Sequence, residues 1–485
     1  MNKQEYLKLI DDVIANGQFK DTWESLSANF TMPEWYKNAK FGLFSHWGVY
    51  SVPAFGSEWY ARNMYEKDSR EYKHHIETYG AHKDFGYKDF IPMFKAEKFN
   101  ADEWLDLIEA SGAKYYMPVA EHHDGFQMYK SDISKFNAAE MGPMRDICGE
   151  LKAASEKRGI QFCVSSHRIE HWFFMGGGKK FDSDIKEPLK EGDLYWPSIP
   201  DADMGGLNGD PSVEFMEDWL IRCCELVDKY QPKIVFFDWW IQIKKLKPYL
   251  KKFVAYYYNR AKECGYEGIV NYKFDALIYG SGAIDMERGQ CSTIKPDFWQ
   301  TDTCTARNSW SYTENNVFKS ANEILCDIVD IVSKNGCMLL NIGPKADGTI
   351  CDEDKKILLD IGSWFKANGE SIYNTLAYKV FGEGPTEVKE GHFTDNAAKG
   401  FTSEDIRFTF GGNNLYATVL SYPQDGTVRI KTLSNKSHYF YSPIKAIEVL
   451  GFDEKPEYER TDDALIIKTT AVKSDNPVVF KIIVD

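Results

Sequence analysis

What this sequence lacks narrows its possible roles first. No segment approaches the ~20 consecutive apolar residues that a membrane-spanning helix needs. Acidic residues outnumber Lys and Arg by 73 to 58, and a net charge of −15 leaves no basic footprint for nucleic acid or an anionic membrane. The ten cysteines include no CxxC pair. Scattered through apolar settings, they are expected to be reduced core residues, and the adjacent Cys223 and Cys224 point to different faces of a helix. The opening MNKQEYLKLIDDVIANG alternates Leu and Ile with Asp and Lys, without the continuous apolar run of a secretory signal, so a cytoplasmic location is expected. Walker, GxGxxG, GxSxG and HExxH patterns are absent, which removes the motif-borne routes to phosphate, dinucleotide, serine-hydrolase and zinc-protease chemistry. Chemistry built from carboxylates remains.

Aromatic residues, by contrast, are plentiful: 13 Trp, 28 Tyr and 31 Phe make up 15% of 485 residues. Most must be core, but such rings also suit walls that stack on sugar faces. From about residue 40 to 370, apolar runs that read as strands alternate with amphipathic helices. The predicted strands are FGLFSHW, KYYMPVA, QFCVSSH, KIVFFDWW, GIVNYK, DFWQTDT and GCMLLNI. Helix signals separate several of them, such as Asn100 with Glu103 three residues on, Pro211 near a first turn, and the Ser320–Glu323 box. Repeated βα units argue for a parallel sheet, and the length favours a (β/α)8-like barrel over an open doubly wound sheet. After about residue 375 short alternating strands separated by turn residues predict an antiparallel sandwich. The chain is therefore α/β, with a barrel domain over 1–373 and a C-terminal β-sandwich domain over 374–485.

Polar residues fall at the C-terminal ends of these strands, where barrel enzymes carry their chemistry: His46, Glu121 and His122, His167, Asp238, Lys273, Asp302 and Asn341. In KIVFFDWW, Asp238 follows four apolar residues, and a buried carboxylate must be paired, at a cavity mouth, or used. EHHDGF (121–126) has the side chains of a metal site, but adjacent histidines on a strand face opposite ways. Hydrogen bonding to a polar substrate fits His122 and His123 better, and no metal or cofactor is expected. Glycoside hydrolysis needs two carboxylates, a nucleophile or base and a proton donor. Asp238 supplies one; Glu287 in IDMERG is the best-placed second, with Asp302 its competitor. Residues 173–210 form a long Gly- and Pro-containing insertion of the kind that builds lids or substrate walls.

Taken together, FGLFSHWG, SEWY, EHHDGF, FFDWW, ERG, NSWSY and LLNIGPKADG resemble glycoside hydrolase family 29, the α-L-fucosidases, from about Trp35 to Tyr373. The resemblance implies a barrel followed by a β-sandwich and a retaining enzyme acting on a fucosylated oligosaccharide or glycoconjugate. It implies Asp238 as nucleophile and Glu287 as acid/base. His46, Glu58, Trp59, His122 and His123 match sugar-hydroxyl contacts, and Phe44 and Trp310 match the pocket for the C5 methyl. His167, Trp240, Lys273 and Arg288 are further candidate substrate contacts. Two positions depart from the family's pattern: Lys273 in NYKF replaces an Arg, and Ser166 and His167 replace an aromatic pair. Strand alternation lets only one of Ser166 and His167 face the sugar. An L-galactoside hydrolase and a non-catalytic sugar-binding protein are the alternatives.

Overall fold

The computed structural model describes residues 2–200, 211–396 and 400–484. Among them, eight parallel strands follow one another around a barrel: Phe41–Ser45 (β1), Tyr115–Glu121 (β2), Gln161–Phe162 with Val164–Ser166 (β3), Ile234–Phe237 (β4), Ile269–Tyr272 (β5), Ala283–Ile284 (β6), Trp299–Cys304 (β7) and Gly336–Ile342 (β8). Each of β1 to β5 pairs with the next, β8 pairs with β1 and with β7, and a parallel bridge from Asp285 to Gln300 brings β6 to β7. Seven of these strands match the predicted runs; β6, two residues long, was not foreseen. Of the predicted insertion, residues 201–210 lie outside the described residues.

Period-two alternation sorts the strand side chains between two cores. Phe44, Met117, Cys163, Ile234, Phe236, Ile269 and Leu339 fill the barrel interior. Val235, Phe237 and Val270 pack outward with helix residues such as Trp219 and Phe253. Tyr36, on the short helix Glu34–Ala39, is in the interior core, donating a 2.7 Å hydrogen bond to Gln300 Oε1. The same alternation carries the residue after several strands inward at the C-terminal rim.

The last barrel helix, Asp352–Asn368, precedes an antiparallel sandwich. Its strands are Leu376–Glu383 (β9), Ile406–Gly411 (β10), Asn414–Val419 (β11), Thr427–Ile430 (β12), Ile444–Val449 (β13), Glu457–Arg460 (β14), Leu465–Lys468 (β15) and Val478–Val484 (β16). They form a five-stranded sheet, β9-β10-β11-β16-β13, and a three-stranded sheet, β12-β15-β14, around a shared apolar core. The sandwich is tied to the barrel by buried charges: Arg407 Nε on β10 lies 2.6 Å from Asp330 Oδ1 on the helix Ala321–Ser333, and Lys334 Nζ lies 2.6 Å from Asp330 Oδ2. The ten cysteines are all free thiols, nine of them buried and Cys264 exposed.

Candidate active site

At the C-terminal rim a cavity of about 300 Å³ is lined by His46, Glu58, Trp59, His122, His123, His167, Asp238, Trp239, Trp240, Glu287, Asp302, Trp310 and Phe393. Alternation accounts for much of this set. Asp238 continues the inward series Ile234, Phe236, and His46 continues that of Phe44. A bulge in β2, where Val119 pairs with Ser165 and Glu121 with Ser166, shifts the phase so that His122 points in. Glu121 points out, 3.2 Å from Arg222 and 3.4 Å from Arg168.

On β3 the inward residue is His167. Its Nδ1 donates to Asp238 Oδ2 at 3.1 Å, because a carboxylate can only accept, and its Nε2 faces the Ser165 hydroxyl at 3.1 Å. Ser166 turns outward to Cys223. His123 Nδ1 donates to the His167 carbonyl at 3.2 Å and its Nε2 lies 3.7 Å from Asp238 Oδ2. His46 Nδ1 donates to Asn341 Oδ1 at 2.7 Å, since the Asn341 amide is itself committed to the Trp310 carbonyl at 2.6 Å. The His46 Nε2 lone pair is therefore an acceptor for a ligand hydroxyl. Burial, together with the neighbouring His167, holds His46 far below the ordinary histidine range, and burial with the neighbouring His123 does the same for His122. His122 Nδ1 is buried with no hydrogen-bond partner among the described residues. Glu58 Oε2 accepts from the Trp310 backbone N–H at 3.0 Å.

The two carboxylates are driven apart. Burial pushes the Asp238 carboxyl up, but the His167 hydrogen bond, with His167 and Lys273 nearby, outweighs it and holds Asp238 well below the usual range. Burial raises Glu287, the Lys273 ammonium lowers it, and the Asp238 and Asp302 charges raise it again; the balance is about 8. Glu287 Oε2 accepts a short hydrogen bond from Trp239 Nε1 and lies 3.6 Å from Lys273 Nζ. At neutral pH one carboxylate is ionised and the other protonated, the division of labour that a nucleophile and a general acid require.

Three expected sugar contacts lie elsewhere. Lys273 has no exposed surface; its ammonium sits 2.8 Å from Asp285 and 3.4 Å from Asp302, so it sets charge beneath the cavity. A Lys end-point can serve three carboxylates there without the planar fork of Arg. Phe44 lies under the cavity floor, its ring 4.6 Å from the His46 ring and 5.5 Å from Phe236. Arg288 places its guanidinium 4.6 Å from the Trp310 ring centroid and donates to the Ala306 carbonyl at 3.1 Å, propping Trp310 from behind. The insertion after β3 backs the wall: Phe174 packs on Trp59 and His123, and Phe173 on Trp240.

Trp239 and Phe393 line the cavity without having been singled out. The WW pair after Asp238 was a visible signal for Trp239; Phe393 belongs to a sandwich loop and had none. Four non-glycine residues around the site adopt left-handed backbone, Trp240, Phe274, Arg288 and Phe393, at φ of 71°, 51°, 44° and 57°. Strain of this kind concentrates where side chains are aimed for function.

Among the described residues two sets of three side chains, His46–His122–His167 and His123–His167–Asp238, have ligand atoms within 4.8 Å of one another. Both sets depend on His167, whose two nitrogens are already engaged by Asp238 and Ser165. The donor set fits a hydroxyl-rich ligand better than a metal ion, which needs free lone pairs.

A parallel barrel with a split carboxylate pair in an aromatic- and histidine-lined pocket defines a glycoside hydrolase scaffold. Residues 8–370 match the family described as alpha-L-fucosidase, and residues 399–482 match the alpha-L-fucosidase C-terminal domain. The chain belongs to the α-L-fucosidase family. It is 31% identical to the tissue alpha-L-fucosidase of Rattus norvegicus over 480 residues, covering 95% of this chain and 94% of that one. It is also 31% identical to the plasma alpha-L-fucosidase of Homo sapiens, over 75% of this chain and 73% of that one. Among solved structures, a Thermotoga maritima alpha-fucosidase in complex with a mechanism-based inhibitor is similar with a TM-score of 0.76 at 28% identity, covering 96% of this chain and all of that one.

Proposed function

We propose that this protein is an exo-acting α-L-fucosidase that removes terminal fucosyl residues from glycans with retention, through Asp238 and Glu287. The placement of Asp238 and Glu287 in one cavity at the barrel rim, the first held down by the His167 hydrogen bond and the second pushed up by burial, carries the reading. Asp238, charged and held by His167, attacks the anomeric carbon. Protonated Glu287 gives its proton to the departing glycosidic oxygen, leaving a fucosyl ester on Asp238 and a carboxylate at Glu287. That carboxylate then takes a proton from water as the water attacks the same carbon, which frees Asp238 and restores Glu287. His46, His122 and Glu58 meet the sugar hydroxyls, and Trp59, Trp240 and Trp310 enclose its apolar edges.

The retaining course and the nucleophile are tested together. Proton NMR during turnover of an aryl α-L-fucoside should show the α-anomer of fucose forming first. A 2-fluoro fucosyl fluoride should label a single peptide containing Asp238, read by mass spectrometry. Initial release of the β-anomer, or a label on another carboxylate, would overturn the assignment.

A further inference from the structure

Beside Glu287 three rings cluster, Trp239 and Phe274 from barrel loops and Phe393 from a sandwich loop. Trp239, whose indole N–H donates to Glu287 Oε2, lies 4.6 Å from the Phe274 ring and 6.2 Å from the Phe393 ring, nearly parallel to the latter at 9°. Phe274 and Phe393 are 47% and 60% exposed, a large apolar surface left open beside the cavity. The sandwich loop that brings Phe393 is locked to the Glu287 backbone: the Glu287 N–H donates to His392 Nδ1 at 3.0 Å, and the Phe393 N–H donates to the Glu287 carbonyl at 2.9 Å. Gly391 and Gln290 exchange two further backbone bonds, at 3.2 and 3.0 Å. Burial and then the Lys273 cation lower His392 to about 4, so its ring is neutral and its Nδ1 lone pair free to accept.

A general acid must touch the oxygen that leaves. Exposed rings packed beside it therefore border the leaving group and not the fucosyl ring. We infer that Trp239, Phe274 and Phe393 form a shelf for the leaving-group sugar, a pyranose that presents a C–H face for stacking. The inference rests on the reading of Glu287 as proton donor. Trp239 joins the two halves, since one side chain both holds the acid and forms the inner end of the shelf. A sugar seated there has its bridging oxygen beside Glu287. The competing role for these rings is a cover that keeps water from the Lys273 carboxylate cluster; a cover would affect every substrate alike.

The test compares α-L-fucosyl fluoride, whose leaving group carries no sugar, with a fucosyl galactoside. In Phe393→Ala and Phe274→Ala the disaccharide-to-fluoride ratio of kcat/KM should fall roughly three- to tenfold each, the range expected for one lost stacking contact. An unchanged ratio overturns the shelf, whether both rates fall, as a cover predicts, or neither does. Residual fluoride turnover in each variant shows that it has folded. Glu287→Gln should lower the same ratio much further, and if it does not, the proton-donor reading fails instead.

Discussion

The basic limb of the pH–rate profile is where the site's electrostatics can be tested most directly. Glu287 at about 8 must be protonated to act as acid. Such a group is about 91% protonated at pH 7 and about 9% at pH 9, so kcat/KM for a fucosyl disaccharide should drop roughly tenfold between them. The acidic limb, set by Asp238, should lie well below the ordinary aspartate value. A dinitrophenyl fucoside needs no proton on its leaving group, and its kcat/KM should show no such basic limb. Because the Trp239 hydrogen bond lowers the Glu287 value, Trp239→Phe should move the disaccharide limb to higher pH while leaving a ring in place. Initial rates on both substrates from roughly pH 4 to 10 give the comparison. The reasoning is refuted if the limb stays put in Trp239→Phe, if the aryl substrate shows the same limb, or if Glu287→Gln keeps it.

Other outcomes follow from the same contacts. Asp238→Asn should lose turnover on the order of a thousandfold or more, with a native-like thermal unfolding curve, because shape is kept and the nucleophile's charge is gone. His167→Phe should cost about 1–3 kcal/mol of transition-state stabilisation and move the acidic limb upward, since the bond that lowers Asp238 is removed; kcat/KM against pH reads both. Treatment with a chelator should leave the rate intact, and a loss reversed by added zinc would place a metal among His46, His122 and His167. Arg407→Met should destabilise the fold by about 3 kcal/mol in urea titration, because it removes one partner of a fully buried ion cluster.

The barrel strands were legible because burial on both faces makes them continuous apolar runs, as in KIVFFDWW and GCMLLNI. Their rim residues were legible for a second reason: a polar side chain one residue past such a run is costly unless it opens on a cavity. The elements that escaped have weak patterns. Ala283–Ile284 is too short to show a period, Glu457–Arg460 is a charged edge strand, and Leu376–Glu383 is half-exposed and bulged. Lys273 and Arg288 were expected to face the sugar, whereas Lys273 turns to Asp285 and Asp302 and Arg288 to the Trp310 ring and the Ala306 carbonyl. Sequence shows that a cation belongs near the carboxylates, while whether it faces the ligand or braces the wall depends on packing from other strands. His392, with Phe393 beside it, reaches Glu287 across 105 residues of chain. No local pattern announces a contact of that span.

The embrace of Glu287 by that loop bears on how the enzyme comes into being during synthesis. The loop hangs between β9 and β10, and β10 finds its place through β11, which pairs with β16 at Val478–Val484. All eight barrel strands have left the ribosome well before then, so the barrel can close while the proton donor still lacks its backbone partners. The nucleophile's surroundings, by contrast, are complete with the barrel. A nascent chain stalled between the two stages should already capture an activated fucosyl fluoride on Asp238, yet cleave a natural disaccharide poorly until the sandwich has formed.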